Sequence, residues 1–228
     1  MANRWKTYLL LAAMQRNWMS RLLARSRRSG DAMTAPDPDP GDASRWSFLD
    51  DLDEMARYAV ILGYLRRLKP QGDVLDVGSG TGVLAVELAP GIGSYLGIDR
   101  DATSVEKARS REIPFSEFEV ADAQTYTTDA QFDAVIFNES LYYLKDPIHV
   151  VQRYANFLKP DGVVVLSNYV TRHQLRIPGE IAKHFPVVDQ TTVINASGRG
   201  WVIQVVQPVA STALPPTIRS RVPAAQIS

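Results

Sequence analysis

The fold is decided by the stretch Asp73-Val-Leu-Asp-Val-Gly-Ser-Gly-Thr-Gly82. Val74, Leu75 and Val77 have the pattern of a short buried strand, and the glycines that follow alternate with small polar residues. Glycine tolerates positive φ angles and lets a ligand approach the bare backbone. A helical pattern starts directly afterwards, and the start of a helix offers unpaired N–H groups. A strand, a glycine turn and a helix in this order indicate a nucleotide-binding turn of an α/β protein.

The spacing of the glycines narrows the class of ligand that the turn can bind. Gly78, Gly80 and Gly82 form G-x-G-x-G, whereas a dinucleotide turn reads G-x-G-x-x-G and binds a pyrophosphate. Asp76 lies inside the end of the strand, one residue before Val77, and a carboxylate there repels a pyrophosphate but suits a cationic amino-acid group. Asp99 ends the next strand, where it can accept hydrogen bonds from ribose hydroxyls. This spacing argues against a nicotinamide-dependent reductase.

Taken with the motifs that follow in order, these residues resemble class I S-adenosylmethionine-dependent methyltransferases over roughly residues 46–207. The resemblance implies a three-layer, Rossmann-like α/β fold. Its sheet has seven mainly parallel strands in the order 3-2-1-4-5-7-6, with the seventh strand antiparallel. It also implies S-adenosyl-L-methionine as the cofactor.

Alternating strand and helix patterns independently predict a mainly parallel sheet with helices on both faces. The first helix lies within 45–68, with Asp50 or Asp51 as its cap and its apolar positions at Met55, Tyr58, Ala59, Leu62 and Leu65. Further helices are predicted at 81–89, 101–111, 147–158 and 175–184, and a loop or short helix at 124–130. Strands follow the first one at 94–99, 114–121, 132–138, 163–167, 187–194 and 201–207, with a tight turn at 159–162.

Residues outside 45–207 are expected to lie outside the folded domain. Residues 1–44 combine a basic amphipathic segment with a proline-rich linker, and 208–228 are expected to be a disordered tail. Residues 1–30 contain seven Lys and Arg and no acid. They fit a helix on an anionic membrane surface, a transit-type presequence, or an extension upstream of a true start at Met33. We favour an extension or a loosely docked helix over a membrane role.

Charge and composition exclude several classes of protein. The formal net charge is zero, so removing the +7 of residues 1–30 leaves −7 on the remainder. Phosphate backbones require clustered Lys and Arg, and we therefore expect no nucleic-acid partner. The chain has no cysteine, which excludes disulfides, thiolate metal sites and a thiol nucleophile. We predict no metal site, with a metal held by Glu139 and a neighbouring acid as the alternative. A reducing cytoplasm fits a chain without cysteine, and we expect a cytoplasmic protein.

Four strand ends meet at the carboxyl edge of the predicted sheet, where open α/β sheets bind ligands. Each offers a polar residue at the close of an apolar run. By the resemblance, the glycines admit the methionine part of the cofactor, Asp99 binds the ribose hydroxyls, and Asp122 binds adenine with help from the Ala123 backbone. The predicted cofactor residues are Asp76, Gly78, Ser79, Gly80, Gly82, Asp99, Arg100, Asp122, Ala123 and Asn138.

The acceptor side of the site is expected at Asn138-Glu-Ser-Leu-Tyr-Tyr143, after the fourth strand. Methyl transfer mainly needs alignment and a dry site, and a hydroxyl acceptor also needs a base. Glu139 is the first candidate, as a base or as an anchor for a cationic or polyol substrate, and His173 is the second candidate base. A helix-start carboxylate favoured by the dipole is the alternative for Glu139. Tyr142 and Tyr143 are expected to wall the substrate site, with one of them in the core.

A finer resemblance is to small methyltransferases of the nodulation-factor N-methyltransferase kind. It rests on Trp46-Ser-Phe48, on the Glu54, Arg57 and Tyr58 that follow, and on the Glu-x-x-Tyr-Tyr pattern from Glu139. In such proteins the leading segment folds over the cofactor, which implies substrate-site roles for Trp46 and Tyr58; for Trp46, ordinary packing stays an alternative. We predict methyl transfer to a hydroxyl or amine of a small molecule or glycan. The alternative is a non-catalytic S-adenosylmethionine-binding regulatory module.

Overall fold

Helices and strands alternate through residues 52–170 and 176–208, which are the residues that the computed structural model describes. The helices are α1 (Leu52–Leu68), α2 (Val83–Leu88), α3 (Ala102–Arg109), α4 (Pro147–Tyr154) and α5 (Arg176–His184). The strands are β1 (Asp73–Val77), β2 (Ser94–Asp99), β3 (Ser116–Val120), β4 (Phe132–Asn138), β5 (Leu158–Tyr169), β6 (Val187–Ile194) and β7 (Gly200–Val206).

All seven strands join one sheet in the order β3-β2-β1-β4-β5-β7-β6. Neighbours from β3 across to β5 pair in parallel, whereas β7 is antiparallel to both β5 and β6. The predicted order and the antiparallel seventh strand are therefore confirmed. The chain leaves β1 towards β2 and β3 and then returns to β4 on the other side of β1. The switch point thus lies between β1 and β4, and their carboxyl ends border the crevice where such sheets bind ligands.

Apolar side chains cover both faces of the sheet, which gives the predicted three layers. One face packs against α1, α2 and α3, through residues such as Ile61, Leu88 and Val105. The other packs against α4 and α5, through residues such as Val151 and Ile181. The central strands are buried on both faces and accordingly read as continuous apolar runs in the sequence.

The start of β5 differs from the prediction. The Lys-Pro-Asp-Gly segment at 159–162 predicts a turn between a helix ending at 158 and a strand at 163–167. Instead, α4 ends at Tyr154, a 3-10 turn covers Ala155–Phe157, and β5 runs from Leu158 to Tyr169. Leu158 pairs with Phe132 and the register then shifts before Val163 pairs with Ala134. The turn-forming residues are accommodated as an irregularity within the strand.

Charged residues replace part of the predicted apolar face of α1. Tyr58 and Leu65 are buried as expected, but Ala59 is exposed, and Glu54 and Arg57 are buried instead. Apolar periodicity alone cannot indicate this arrangement, because Glu54 and Arg57 are buried as a mutual ion pair.

Several predictions concern parts of the chain outside the described residues. They are the N-terminal segment 1–44, the caps Asp50 and Asp51, Trp46, His173, and residues 209–228 of the tail. Within the described ranges, we find no helix whose length and apolar character would let it cross a bilayer.

Candidate cofactor and acceptor site

The glycine turn after β1 adopts the positive φ angles that its sequence predicts. Gly78, Gly80 and Gly82 have φ of 81°, 52° and 77°. A Cβ on Gly78 would lie 2.5 Å from the Cβ of Ser140, and one on Gly82 would lie 3.0 Å from the Cβ of Ala108. A Cβ on Gly80 would meet no heavy atom of the described residues within 4 Å. Gly78 and Gly82 therefore let protein segments approach each other, whereas Gly80 faces open space that can admit a ligand.

Asp99 joins the end of β2 to the glycine turn. Its Oδ2 accepts from the backbone N–H of Gly80 at 2.8 Å and its Oδ1 accepts from the N–H of Asp101 at 2.9 Å. Burial raises the pKa of Asp99, while these two hydrogen bonds lower it. Asp101 rather than Asp99 caps α3, because its side chain accepts from the N–H groups of Thr103 and Ser104. Asp99 thus stands beside Gly80 with its carboxylate oriented, which is the placement expected of a ribose ligand.

Asp76, at the end of β1, is 2% exposed. Its Oδ2 accepts from the hydroxyl of Tyr95, while its Oδ1 is buried without a hydrogen-bond partner among the described residues. Burial raises the pKa of Asp76 to about 7. The Oγ of Ser79 and the Oδ1 of Asn138, which ends β4, are likewise buried and find no partner in the described part of the chain. Unsatisfied buried polar atoms are rare, and three of them flank the switch point.

The loop after β3 is held in place by α4. The Ala123 carbonyl accepts from Arg153 Nη2 and from the Tyr154 hydroxyl at 3.1 Å, and the Gln124 carbonyl accepts from Arg153 Nη1. Asp122 is exposed, and its Oδ1 accepts from the N–H of Gln124 at 2.8 Å. Arg100, also predicted in the cofactor set, is exposed. Sequence reasoning missed Arg153 and Tyr154, since their partners lie about thirty residues away.

Glu139 follows β4 with a φ of 60°. Its Oε1 accepts from the Ser167 hydroxyl at 2.6 Å, and its Oε2 accepts from the Tyr142 hydroxyl and the Tyr169 N–H, both at 3.1 Å. Burial raises the pKa of Glu139, against the opposing effects of the Arg57 charge and of these hydroxyl donors. The residues that follow form only a 3-10 turn, Leu141–Tyr143, whose cap position is Ser140. Side-chain and strand donors, not a helix dipole, hold this carboxylate.

The two tyrosines of the Leu141–Tyr143 turn are more exposed than Leu141, which is fully buried. Tyr142 is partly buried and Tyr143 is 48% exposed, with their ring centroids 4.5 Å apart. Burial and the neighbouring Glu139 raise the pKa of Tyr142. Leu141 thus takes the core position, so the expectation that one of the two tyrosines is a core residue is wrong. Their role as walls of the acceptor site stays a prediction.

Tyr58 lies in a buried polar cluster on α1. Its hydroxyl accepts from Arg57 Nη2 at 2.8 Å, and the Arg57 guanidinium lies 5.6 Å from the ring centroid of Trp201. Glu54 pairs with Arg57 at 2.7 Å and with Arg199 at 3.0 Å. The pKa of Tyr58 is raised chiefly by burial, and the nearby Asp76 also raises it. The Tyr58 side chain therefore lies on the side of the sheet where Asp76 is buried, and its predicted role in substrate binding stays a prediction.

A doubly wound sheet with a glycine turn after β1 and an acid at the end of β2 defines a Rossmann-like protein that binds a nucleoside-containing ligand. The family model described as "Methyltransferase domain" matches residues 68–207. The chain therefore belongs to this family, the class I S-adenosylmethionine-dependent methyltransferases, and S-adenosylmethionine is its cofactor. The predicted family and cofactor are confirmed.

Individual relatives agree with this assignment. The chain is 27% identical over 128 residues to nodulation protein S of Bradyrhizobium diazoefficiens, covering 54% of this chain and 61% of that protein. It is 32% identical over 124 residues to phosphoethanolamine N-methyltransferase of Triticum aestivum, covering 52% and 23%. The crystal structure of N-methyltransferase NodS from Bradyrhizobium japonicum WM9 with S-adenosyl-L-homocysteine superposes with a TM-score of 0.60 at 19% identity, covering 82% and 98%. The matched part of the chain covers less than two thirds of the length of each of these two curated relatives.

The residues present fit this cofactor. The cofactor's amino group is a hydrogen-bond donor and a cation, and the buried Asp76 Oδ1 and Asn138 Oδ1 are acceptors to which no described residue donates. Gly80 leaves space next to Asp99, the predicted ribose ligand. Asp76, Ser79 and Asn138 would hold the amino-acid part, and Asp99 the ribose. Contact of each predicted residue with the cofactor stays a prediction.

Proposed function

We propose that the protein transfers the methyl group of S-adenosylmethionine to an amine nitrogen of a small molecule or saccharide, with Glu139 binding that nitrogen. The observation that carries this proposal is the setting of the Glu139 carboxylate. It accepts from two hydroxyls and one backbone N–H. Among the described residues it forms no ion pair, whereas Glu54 on α1 has two arginine partners.

The three donors to the Glu139 carboxylate are neutral, and it has no ion-pair partner among the described residues, so its ionised form attracts a cation. The three donors fix the direction of the carboxylate, so that an ammonium group would be oriented as well as bound. A protonated amine must lose a proton before its lone pair can attack, and the raised pKa that burial gives the Glu139 carboxyl supports Glu139 as the proposed acceptor of that proton. Bound S-adenosylmethionine supplies an electrophilic methyl group on a positively charged sulfur.

Two of the similar proteins named above carry "N-methyltransferase" in their descriptions, which supports nitrogen as the accepting atom. A hydroxyl acceptor is the second candidate. It is favoured by the same raised pKa of Glu139, since a buried carboxylate is a stronger base than an exposed one. His173 is the second proposed base and Trp46 a proposed substrate contact, and both lie outside the described residues.

A methyl-transfer screen with labelled cofactor tests the proposal, using amines, amino sugars, neutral sugars and phenolic acids as acceptors. We expect amines or amino sugars to be methylated. Glu139→Gln should lower turnover while leaving the affinity for S-adenosylhomocysteine nearly unchanged. For a hydroxyl acceptor, the loss of a base predicts a fall of roughly 10²–10⁴ in rate; for an amine, the change should appear mostly in acceptor affinity.

Glu117→Gln is a matched control, because Glu117 is an exposed glutamate on the edge strand β3. His173→Gln, measured in parallel, separates the two proposed bases. Wild-type turnover by Glu139→Gln across pH would remove Glu139 from the chemistry. Tight binding of S-adenosylhomocysteine with no methylated acceptor in the screen would instead favour the non-catalytic binding module.

A further inference from the structure

Tyr95 and Asp76 form a buried hydrogen-bonded pair between β2 and β1. Each residue is 2% exposed, and the Tyr95 hydroxyl donates to Asp76 Oδ2. Parallel pairing sets Asp76 opposite Gly97, and Tyr95 shares the face of β2 that carries Gly97. The hydroxyl thus reaches the carboxylate from the neighbouring strand and occupies one of its two oxygens.

The Tyr95 ring is itself closely packed. Its centroid lies 5.8 Å from that of Phe118. A Cβ on Gly97 would lie 2.6 Å from Phe118 Cδ1 and 2.7 Å from Ser79 Oγ, so the space above this part of β2 is filled. Close packing leaves the tyrosine hydroxyl little freedom, and Asp76 is consequently held in one orientation.

The second oxygen of Asp76 is buried and has no hydrogen-bond partner within residues 52–170 and 176–208. Four titratable groups act on the carboxyl: Tyr95 and Asp99 from β2, and Arg57 and Tyr58 from α1. Arg57 is the only cation among these four groups. Its Nη1 pairs with the Glu54 carboxylate and its Nη2 donates a hydrogen bond to the Tyr58 hydroxyl. The protein thus fixes one oxygen of a buried carboxylate and leaves the other without compensation.

We propose that Tyr95 is a positioning residue that aims Asp76 Oδ1 at the cationic amino group of the cofactor, and that Asp76 releases a proton to the solvent when the cofactor binds. In the free protein, burial raises the pKa of Asp76 to about 7, so the carboxyl is about half protonated at neutral pH. A cation beside Oδ1 favours the ionised form. Binding therefore shifts Asp76 to the carboxylate, and its proton passes to the buffer.

Calorimetric titration of the wild-type protein with S-adenosylhomocysteine, in buffers that differ in ionisation enthalpy, counts the protons released. We expect proton release that is larger at pH 6 than at pH 7 and that falls away as the pH rises to 8.5. The affinity should fall about tenfold for each pH unit below 7. Binding without proton release between pH 6 and 8 would overturn the inference, and so would a failure of S-adenosylhomocysteine to bind.

Variants separate the roles of the two residues. Asp76→Asn should abolish the pH-dependent proton release, and a release profile that is unchanged in this variant would overturn the assignment of the proton to Asp76. Tyr95→Phe removes a donor to the ionised carboxylate, so the release should move to higher pH and the affinity at pH 7 should fall about tenfold. Tyr64→Phe is the matched control, because the Tyr64 hydroxyl also donates to a carboxylate, that of Asp189, at 3.0 Å. An unchanged release profile in Tyr95→Phe would refute the positioning role.

Discussion

Arg57 Nη1 donates to Glu54 Oε2 at 2.7 Å, and both side chains are only 3% exposed. Glu54 Oε1 also accepts from Arg199 Nη1 at 3.0 Å. A further hydrogen bond runs from Asn195 Nδ2 to the carbonyl of Asp53 at 2.8 Å. The first half of α1 is therefore tied to the β6–β7 hairpin by polar contacts, which fixes the helix that carries Tyr58 against the sheet.

Arg57→Met should lower the free energy of unfolding by about 3–5 kcal/mol, because it leaves Glu54 buried next to only one partially exposed cation. Urea denaturation measures this loss. Lys183→Met is the control, since the Lys183–Glu180 pair has the same separation along its helix but is 66% and 50% exposed, and it should change stability by less than about 1 kcal/mol. Equal effects of the two variants would show that the buried pair is not a structural anchor.

Alanine at two positions of the glycine turn should separate folding from binding. Gly78→Ala places a Cβ 2.5 Å from that of Ser140 at a positive φ, and it should cost roughly 2–5 kcal/mol of stability. In Gly80→Ala the added Cβ meets no atom of the residues that the structure describes within 4 Å, so the variant should lose only about 1–2 kcal/mol of stability, from backbone strain. It should nevertheless weaken S-adenosylhomocysteine binding about tenfold or more. Unaltered binding by a folded Gly80→Ala variant would place the ligand elsewhere.

Arg153→Met should loosen the loop that carries Asp122 and Ala123, because the guanidinium donates to the carbonyls of Ala123 and Gln124. Hydrogen bonds from a charged group contribute about 1.5–3 kcal/mol each. Arg153→Met removes these hydrogen bonds, and part of the lost stabilisation should appear as weaker S-adenosylhomocysteine binding. Calorimetry measures the affinity, with Arg66→Met in the exposed last turn of α1 as the control. Wild-type affinity in Arg153→Met would show that the loop keeps its shape without α4.

The strands were predictable where apolar runs are long and turn residues bound them. The predicted limits of β4 (Phe132–Asn138) and β6 (Val187–Ile194) agree with the structure, and the cap of α4 by Asp146 before Pro147 follows from local chemistry. The prediction failed at the start of β5, because residues 159–162 have the composition of a turn but continue the strand next to β4. Local propensity is overridden there by pairing with a neighbouring strand.

The candidate site was likewise predictable only in part. The positions of Asp76, Asp99 and Glu139 near strand ends follow from the apolar pattern, because Asp76 lies one residue before the end of β1, Asp99 ends β2 and Glu139 follows β4. What holds each carboxylate does not follow, since the donors are distant in sequence: Tyr95 is 19 residues from Asp76, and Ser167 is 28 from Glu139. Such partners become visible only when the register of the sheet is known.

Asp76→Asn should stabilise the ligand-free protein at high pH while weakening cofactor binding. The pKa of Asp76 is raised by burial from 3.8 to about 7 in the folded protein. A raised folded-state pKa means that stability is greatest below the unfolded pKa, falls as pH rises through the interval between the two values, and levels off above about 7. The wild-type protein therefore carries the cost of a buried charge at pH 8, which the neutral amide avoids. After allowing for the cost of one unpaired amide group, we expect the free energy of unfolding of Asp76→Asn to exceed that of the wild-type protein by roughly 1–3 kcal/mol at pH 8. The gain should shrink at pH 5, where Asp76 is mostly protonated in the folded wild-type protein, and urea denaturation of both proteins at the two pH values measures it. A difference between the proteins that does not change with pH would mean that Asp76 ionises in the folded state as readily as in the unfolded one.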